Sequence, residues 1–91
     1  MDTEMTGMLA SSKAGHDKNE VYVIIKEETE YVYLSDGRSK TLEKPKKKNK
    51  KHIQIIKVSP WPDFGERIRA GLADDIEIRK ALKQYKESIT G

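Results

Sequence analysis

The sequence contains no cysteine. That absence removes disulfides, thiolate nucleophiles and Cys-based zinc sites together, and it suits a reducing compartment. Large apolar side chains are scarce as well, with one Phe, one Trp and four Tyr among 91 residues. Hydrophobic residues make up 35% of the chain and charged residues 36%, so the core is expected to be small and a deep substrate cavity is not expected. Apolar runs last only a few residues, whereas a bilayer-spanning helix needs roughly 20. Met1-Asp2-Thr3-Glu4 lacks the basic-then-apolar pattern of a secretory leader. The expectation is a soluble cytoplasmic protein with no membrane association. Histidine is limited to His16 and His52, and the acids are scattered, so no nucleophile, base and orienting group can be assembled. The histidine spacing fits no zinc pattern. Neither an enzyme, a cofactor nor a metal is expected.

A chain of this length forms one domain rather than two. Its net charge of +3 makes only a mild case for a polyanionic partner, but the distribution is uneven. Between Arg38 and Lys57 nine basic residues face the single acid Glu43, whereas from Asp63 onward six basic and six acidic residues balance. The positive field belongs to one segment.

Period-two patterning marks the strands. Residues 1–6 have no periodicity and are expected to be disordered. Met8 to Lys13 alternates weakly as a strand, followed by a polar turn in which Gly15 and Asn19 are best suited to positive φ. Val21 to Ile25 and Tyr31 to Leu34 are rich in β-branched and aromatic side chains, and Asp36-Gly37 carries a hairpin signal. Ser39 to Glu43 is expected to form a brief strand anchored by Leu42, ended by Pro45 and the lysines. In Ile53 to Val58, Ile53 and Ile55 share one face while Gln54, Ile56 and Val58 share the other. Pro60 and Pro62 end that strand. Short strands at roughly ten-residue intervals with no intervening helix indicate an antiparallel barrel or sandwich. Asp74-Asp75-Ile76-Glu77 resembles a capping box, and Ile78, Ala81, Leu82, Tyr85 and Ile89 recur at helical spacing, so a helix is expected from about Asp75 to Lys86, docking by that stripe. Residues 61–73 read as a linker, with a short helical turn around Ile68 as the alternative.

Lysine fills six of the eight positions from Lys44 to Lys51, in a segment expected to be an extended loop. Phosphate is its complement, because each lysine that neutralises one releases condensed counterions. Taken alone, the run also fits a solubilising loop or an unstructured run, and to a lesser degree a targeting tag. Lys13, His16 and Lys18 surround the Gly15 turn, which a barrel would place at the same rim, although His16 and Lys18 taken singly are ordinary turn residues. Tyr22, Tyr31, Tyr33 and Trp61 suit stacking on unpaired bases, and with so few large apolar residues at least two of them belong to the core.

Several stretches together resemble the KOW-motif RNA-binding proteins, in particular short bacterial ones related to KOW-containing large-subunit ribosomal proteins. The matching stretches run from Gly7 through Lys13-Ala14-Gly15-His16-Asp17-Lys18, then Val21-Tyr22-Val23-Ile24, Asp36-Gly37, Leu42-Glu43-Lys44-Pro45-Lys46-Lys47-Lys48, His52 and Ile78-Arg79-Lys80-Ala81-Leu82. The likeness spans roughly residues 7 to 58 and the helix; Asn19 stands where glycine is frequent, and His16 where arginine is common. It implies a mostly β fold: an SH3-like barrel over residues 7–60, followed by the linker 61–73 and a C-terminal α-helix over 74–89. It also implies that Gly15 is the motif's fixed glycine and that RNA, most of all ribosomal RNA or the ribosome, is the partner of a monomeric protein acting in translation. The expected contacts are Lys13, Gly15, His16, Lys18, Arg38, Lys40, Lys44, Lys46, Lys47, Lys48, Lys50, Lys51 and His52, binding backbone phosphate with little base readout. The competing expectation is a protein-interaction module that docks a peptide through Tyr31, Tyr33 and Trp61, or a partner through the helix.

Overall fold

β-Branched and aromatic residues concentrated in Val21–Ile25 and Tyr31–Leu34 build the centre of an antiparallel sheet, which the computed structural model describes together with its flanking helices over residues 5–15, 18–56 and 60–90. The strands are β1 (Leu9–Ser12), β2 (Val21–Glu27), β3 (Tyr31–Ser35), β4 (Lys46–Asn49) and β5 (Ile53–Ile56). Lys57 and Val58, the expected end of the last strand, lie outside the described residues. The order across the sheet is β4-β3-β2-β1-β5. The 3-10 turn Lys50–His52 joins β4 to β5.

Each face of the sheet carries a buried cluster. On one, Leu9 and Val23 pack with Phe64, Ile78, Ala81 and Leu82 from the helices. On the other, Ala10, Tyr22, Ile24, Val32, Leu34 and Ile53 form a cluster with no helical member. A sheet face that is buried without a covering layer must curl until its own side chains cover one another. One hydrogen bond records the curl. In a flat sheet β4 and β1 would stand three strand spacings, roughly 14 Å, apart. Yet Lys48 Nζ on β4 donates to Ser12 Oγ on β1 at 2.6 Å. Among the described residues β4 and β5 do not pair, so the sheet is curled but not closed by a ladder, and the closed barrel is not seen.

The lysine-rich run is not a loop. Lys46 to Asn49 pair in register with Leu34 to Tyr31 as edge strand β4, and Pro45 stands just outside the ladder, where its missing N–H costs nothing. The brief strand expected at Ser39 to Glu43 does not form. That chain folds back on Asp36, whose carboxylate accepts the N–H groups of Arg38 and Lys40 at 2.8 and 2.9 Å, and Leu42 N donates to Asp75 Oδ1 at 2.9 Å. Of the six N-terminal residues expected to be disordered, 1–4 lie outside the described residues, but Thr6 is buried and Met5 N donates to Glu27 Oε1 at 3.0 Å.

Residues 61–73 are not a bare linker. They contain helix α1 (Phe64–Arg69), whose Phe64 is fully buried and has its ring 4.8 Å from that of Trp61. Helix α2 (Asp75–Thr90) starts where Asp74 Oδ1 accepts the N–H of Glu77 at 2.9 Å. The returning half of a capping box is missing, because both Glu77 carboxylate oxygens are taken by Arg67 at 2.9 Å. That two-pronged pair ties α1 to α2 and holds the Glu77 carboxyl below the usual carboxylate range. Ile78, Ala81, Leu82 and Tyr85 dock as expected, whereas Ile89 is 63% exposed because the last turn runs past the core.

Candidate nucleic-acid interface

The site begins with a turn that needs positive φ at two places. After β1 the chain reverses through Gly15 (φ 90°) and Asn19 (φ 73°), the two positions the sequence marks for it. Asn19 N donates to Ser12 O at 2.8 Å and Lys18 N to Gly15 O at 3.2 Å, so the turn is closed on itself. It is also pinned from outside. Lys13 N donates to His52 O at 2.8 Å, and Lys48 Nζ donates to Ala14 O at 2.9 Å. The 3-10 turn is fixed in its own right by Asn49 Oδ1, which accepts Lys51 N at 2.8 Å, and by Lys50 N, which donates to Glu30 O at 2.9 Å.

Two basic segments far apart in sequence therefore meet on one surface. Lys13, Gly15 and Lys18 from the first turn, and Lys51 and His52 from the second, are all exposed there. His16 lies outside the described residues. The pairing of β1 with β5 causes this meeting, since Ser12 stands opposite Ile53 and so places Lys13 beside His52.

Of the lysines in β4 and the residues flanking it, Lys48 reaches the first turn through Ala14, and the others are spread differently. Strand geometry sends neighbours to opposite faces, and the register puts Lys46 and Lys48 on the side of Leu34 and Val32, but Lys47 on the side of Tyr33. Lys48 spends its ammonium on Ser12 and Ala14. Lys50 Nζ is paired with Glu27 Oε2 at 2.8 Å, with both side chains largely covered. Lys47 Nζ stands 4.5 Å above the Tyr31 ring and 6.0 Å from that of Tyr33. Lys44 is exposed in the approach to β4. The expected single lysine loop is thus replaced by side chains of three kinds: inward struts, a cation over aromatic rings, and exposed surface charges.

Two further features escape local spacing. A register shift between Ile24 and Lys26 brings Lys26 opposite Tyr33, so Tyr33 has Lys26 5.4 Å from its ring on one side and Lys47 on the other. Tyr31 is 36% exposed and Tyr33 half-buried, while Tyr22 belongs to the core and Trp61 packs against the cluster on the helical side of the sheet. Arg38 and Lys40 belong to neither of the two basic turns but to the one held by Asp36, which is pressed against α2, where Gly37 O accepts Arg79 Nη1 at 2.6 Å. Burial opposes ionisation of Asp36, but the N–H groups of Arg38 and Lys40 and the Ser39 hydroxyl outweigh it and hold the carboxyl below its ordinary range.

Among the described residues no three His, Asp or Glu side chains converge on a metal position, and no helix is long and apolar enough to cross a membrane. No family model matches this chain, and no curated protein matches it in sequence.

Proposed function

We propose that this is a non-enzymatic RNA-binding protein of the translation apparatus, an SH3-like KOW unit that holds phosphate backbone, most of all of ribosomal RNA, against the Gly15 turn. The observation that carries the reading is the hydrogen bond from Lys13 N to His52 O, which fixes the Gly15 turn and the Lys51–His52 turn as one exposed basic surface. Lys13, Lys18 and Lys51 supply the charge, and exposed backbone around Gly15 lets a strand approach closely. The strand order, with the 3-10 turn between β4 and β5 and the curl recorded by Lys48, supports the SH3-like relation.

The test is titration of ribosomal RNA fragments at several salt concentrations. Replacing Lys13, Lys18 and Lys51 together by alanine should reduce the slope of log affinity against log salt by roughly 2 to 3, at about 0.7–0.9 for every phosphate no longer neutralised. An unchanged slope in that variant would refute the assignment. A second reading, docking of an apolar peptide, has one feature in its favour: a hollow of about 480 Å³ beside Tyr33, floored by Ile25, Leu42, Pro45 and Ile68. Binding there should respond little to salt and should fail in a Tyr33→Ala variant.

A further inference from the structure

The four basic residues of α2 balance its three acids and the preceding Asp74 in number but not in position. Asp74 caps the helix, Asp75 accepts Leu42 N, and Glu77 is held by Arg67, so the acids of the first turn are consumed by structure. The next turns carry Arg79, Lys80 and Lys83 along an open groove of about 740 Å³ between α2 and the Asp36–Lys40 turn. Five basic and three acidic side chains line it. Of those acids, Asp36 is already occupied by its own turn. Arg79 is a strut to Gly37, but Arg38, Lys80 and Lys83 project without an ion pair among the described residues.

The groove borders the Gly15 turn without including it. Its wall begins at Glu20, the residue after Asn19, and the Glu20 carbonyl accepts Ser12 N at 3.0 Å at the base of the Gly15 turn. Glu20 thus stands both in the groove wall and two residues from Lys18, which puts the groove next to the Gly15 turn. A row of exposed cations beside a rigid turn, outnumbering the acids that face it, complements a polyanion with regularly spaced charges.

We infer that the groove between α2 and the Asp36–Lys40 turn is a second RNA-backbone site, in which Arg38, Lys80 and Lys83 take successive phosphates of a strand that has already met the Gly15 turn. This extends the footprint and rests on the RNA-binding reading above. Helix α2 then acts as a binding element as well as a cover for the core.

The experiment measures a stem-loop RNA taken from ribosomal RNA against the full chain and against the variants Arg38→Ala, Lys80→Ala/Lys83→Ala and Lys80→Glu/Lys83→Glu. These side chains are exposed, so thermal melts should match the parent. Each cation removed should lower the salt slope by about 0.7–0.9 and the affinity by on the order of tenfold at low salt, with charge reversal worse than neutralisation. Full affinity and slope in the α2 variants, alongside weakened binding in the Lys13/Lys18/Lys51 variant, would overturn the second site and leave the first standing. No binding by the parent chain would remove both. Displacement of the RNA by polyglutamate as readily as by competing RNA would assign the groove to an acidic protein instead and overturn the inference.

Discussion

Lys48 and Lys51 stand three positions apart in one basic run and have opposite fates. The first points across the curled sheet and satisfies Ser12 and Ala14; the second projects into solvent beside His52. Lys48→Met keeps the apolar stem but removes both hydrogen bonds, and should lower stability by about 1–3 kcal/mol in a urea titration while leaving the salt slope of RNA binding intact. Lys51→Ala should do the reverse: an unchanged melt and a slope smaller by about 0.7–0.9. Two carboxylates set the acid response. Asp36 and Glu77 both have lowered pKa values in the folded protein, so the stability they contribute is complete above the ordinary carboxylate range and is lost as pH falls through the lowered values. The melting temperature should therefore drop between about pH 5 and pH 2, and less steeply in an Asp36→Asn/Glu77→Gln variant that starts from a lower value at neutral pH.

At the level of elements, helix α1 carries more of the core than its six residues suggest. Phe64→Ala should cost about 3–5 kcal/mol and leave a large fraction of the chain unfolded at ambient temperature, as read by near-ultraviolet circular dichroism. The same helix lies directly against the N-terminal segment. A Cβ at Gly65 would sit 2.5 Å from the Thr6 carbonyl oxygen, so Gly65→Ala should destabilise by roughly 1–3 kcal/mol through overpacking, measured by the same titration. β2 and β3 were legible because Val, Ile and Tyr crowd into short runs, and α2 because its stripe spans several turns. β4 was not, since lysines next to a proline have no strand signature of their own; pairing with β3 makes the strand. α1 was too short for its period to decide between a linker and the helical turn around Ile68 that formed. The positive-φ residues Gly15 and Asn19 could be read from residue type alone. Their meeting with Lys51 and His52 is a product of β1–β5 pairing, which no local spacing encodes, and the Lys26–Tyr33–Lys47 row exists only because of a bulge.

For the molecule as a whole, the sheet ends in two edges, β4 and β5, and the first presents Lys46, Lys47 and Lys48 in succession. An unpaired edge is a template for another copy, and a run of ammonium groups along it is the usual protection. Lys48 and Lys50 are held inside the fold, but Lys47 and the neighbouring exposed Lys44 keep like charge at that margin. Two such margins brought together repel, and added electrolyte weakens the repulsion with a screening length of about 8 Å at physiological strength. Salt should thus weaken the proposed nucleic-acid contacts and, in the same titration, the repulsion between two such edges. Analytical ultracentrifugation of the nucleic-acid-free chain would show association rising with ionic strength, most steeply for a Lys44→Ser/Lys47→Thr variant whose border no longer warns off its twin.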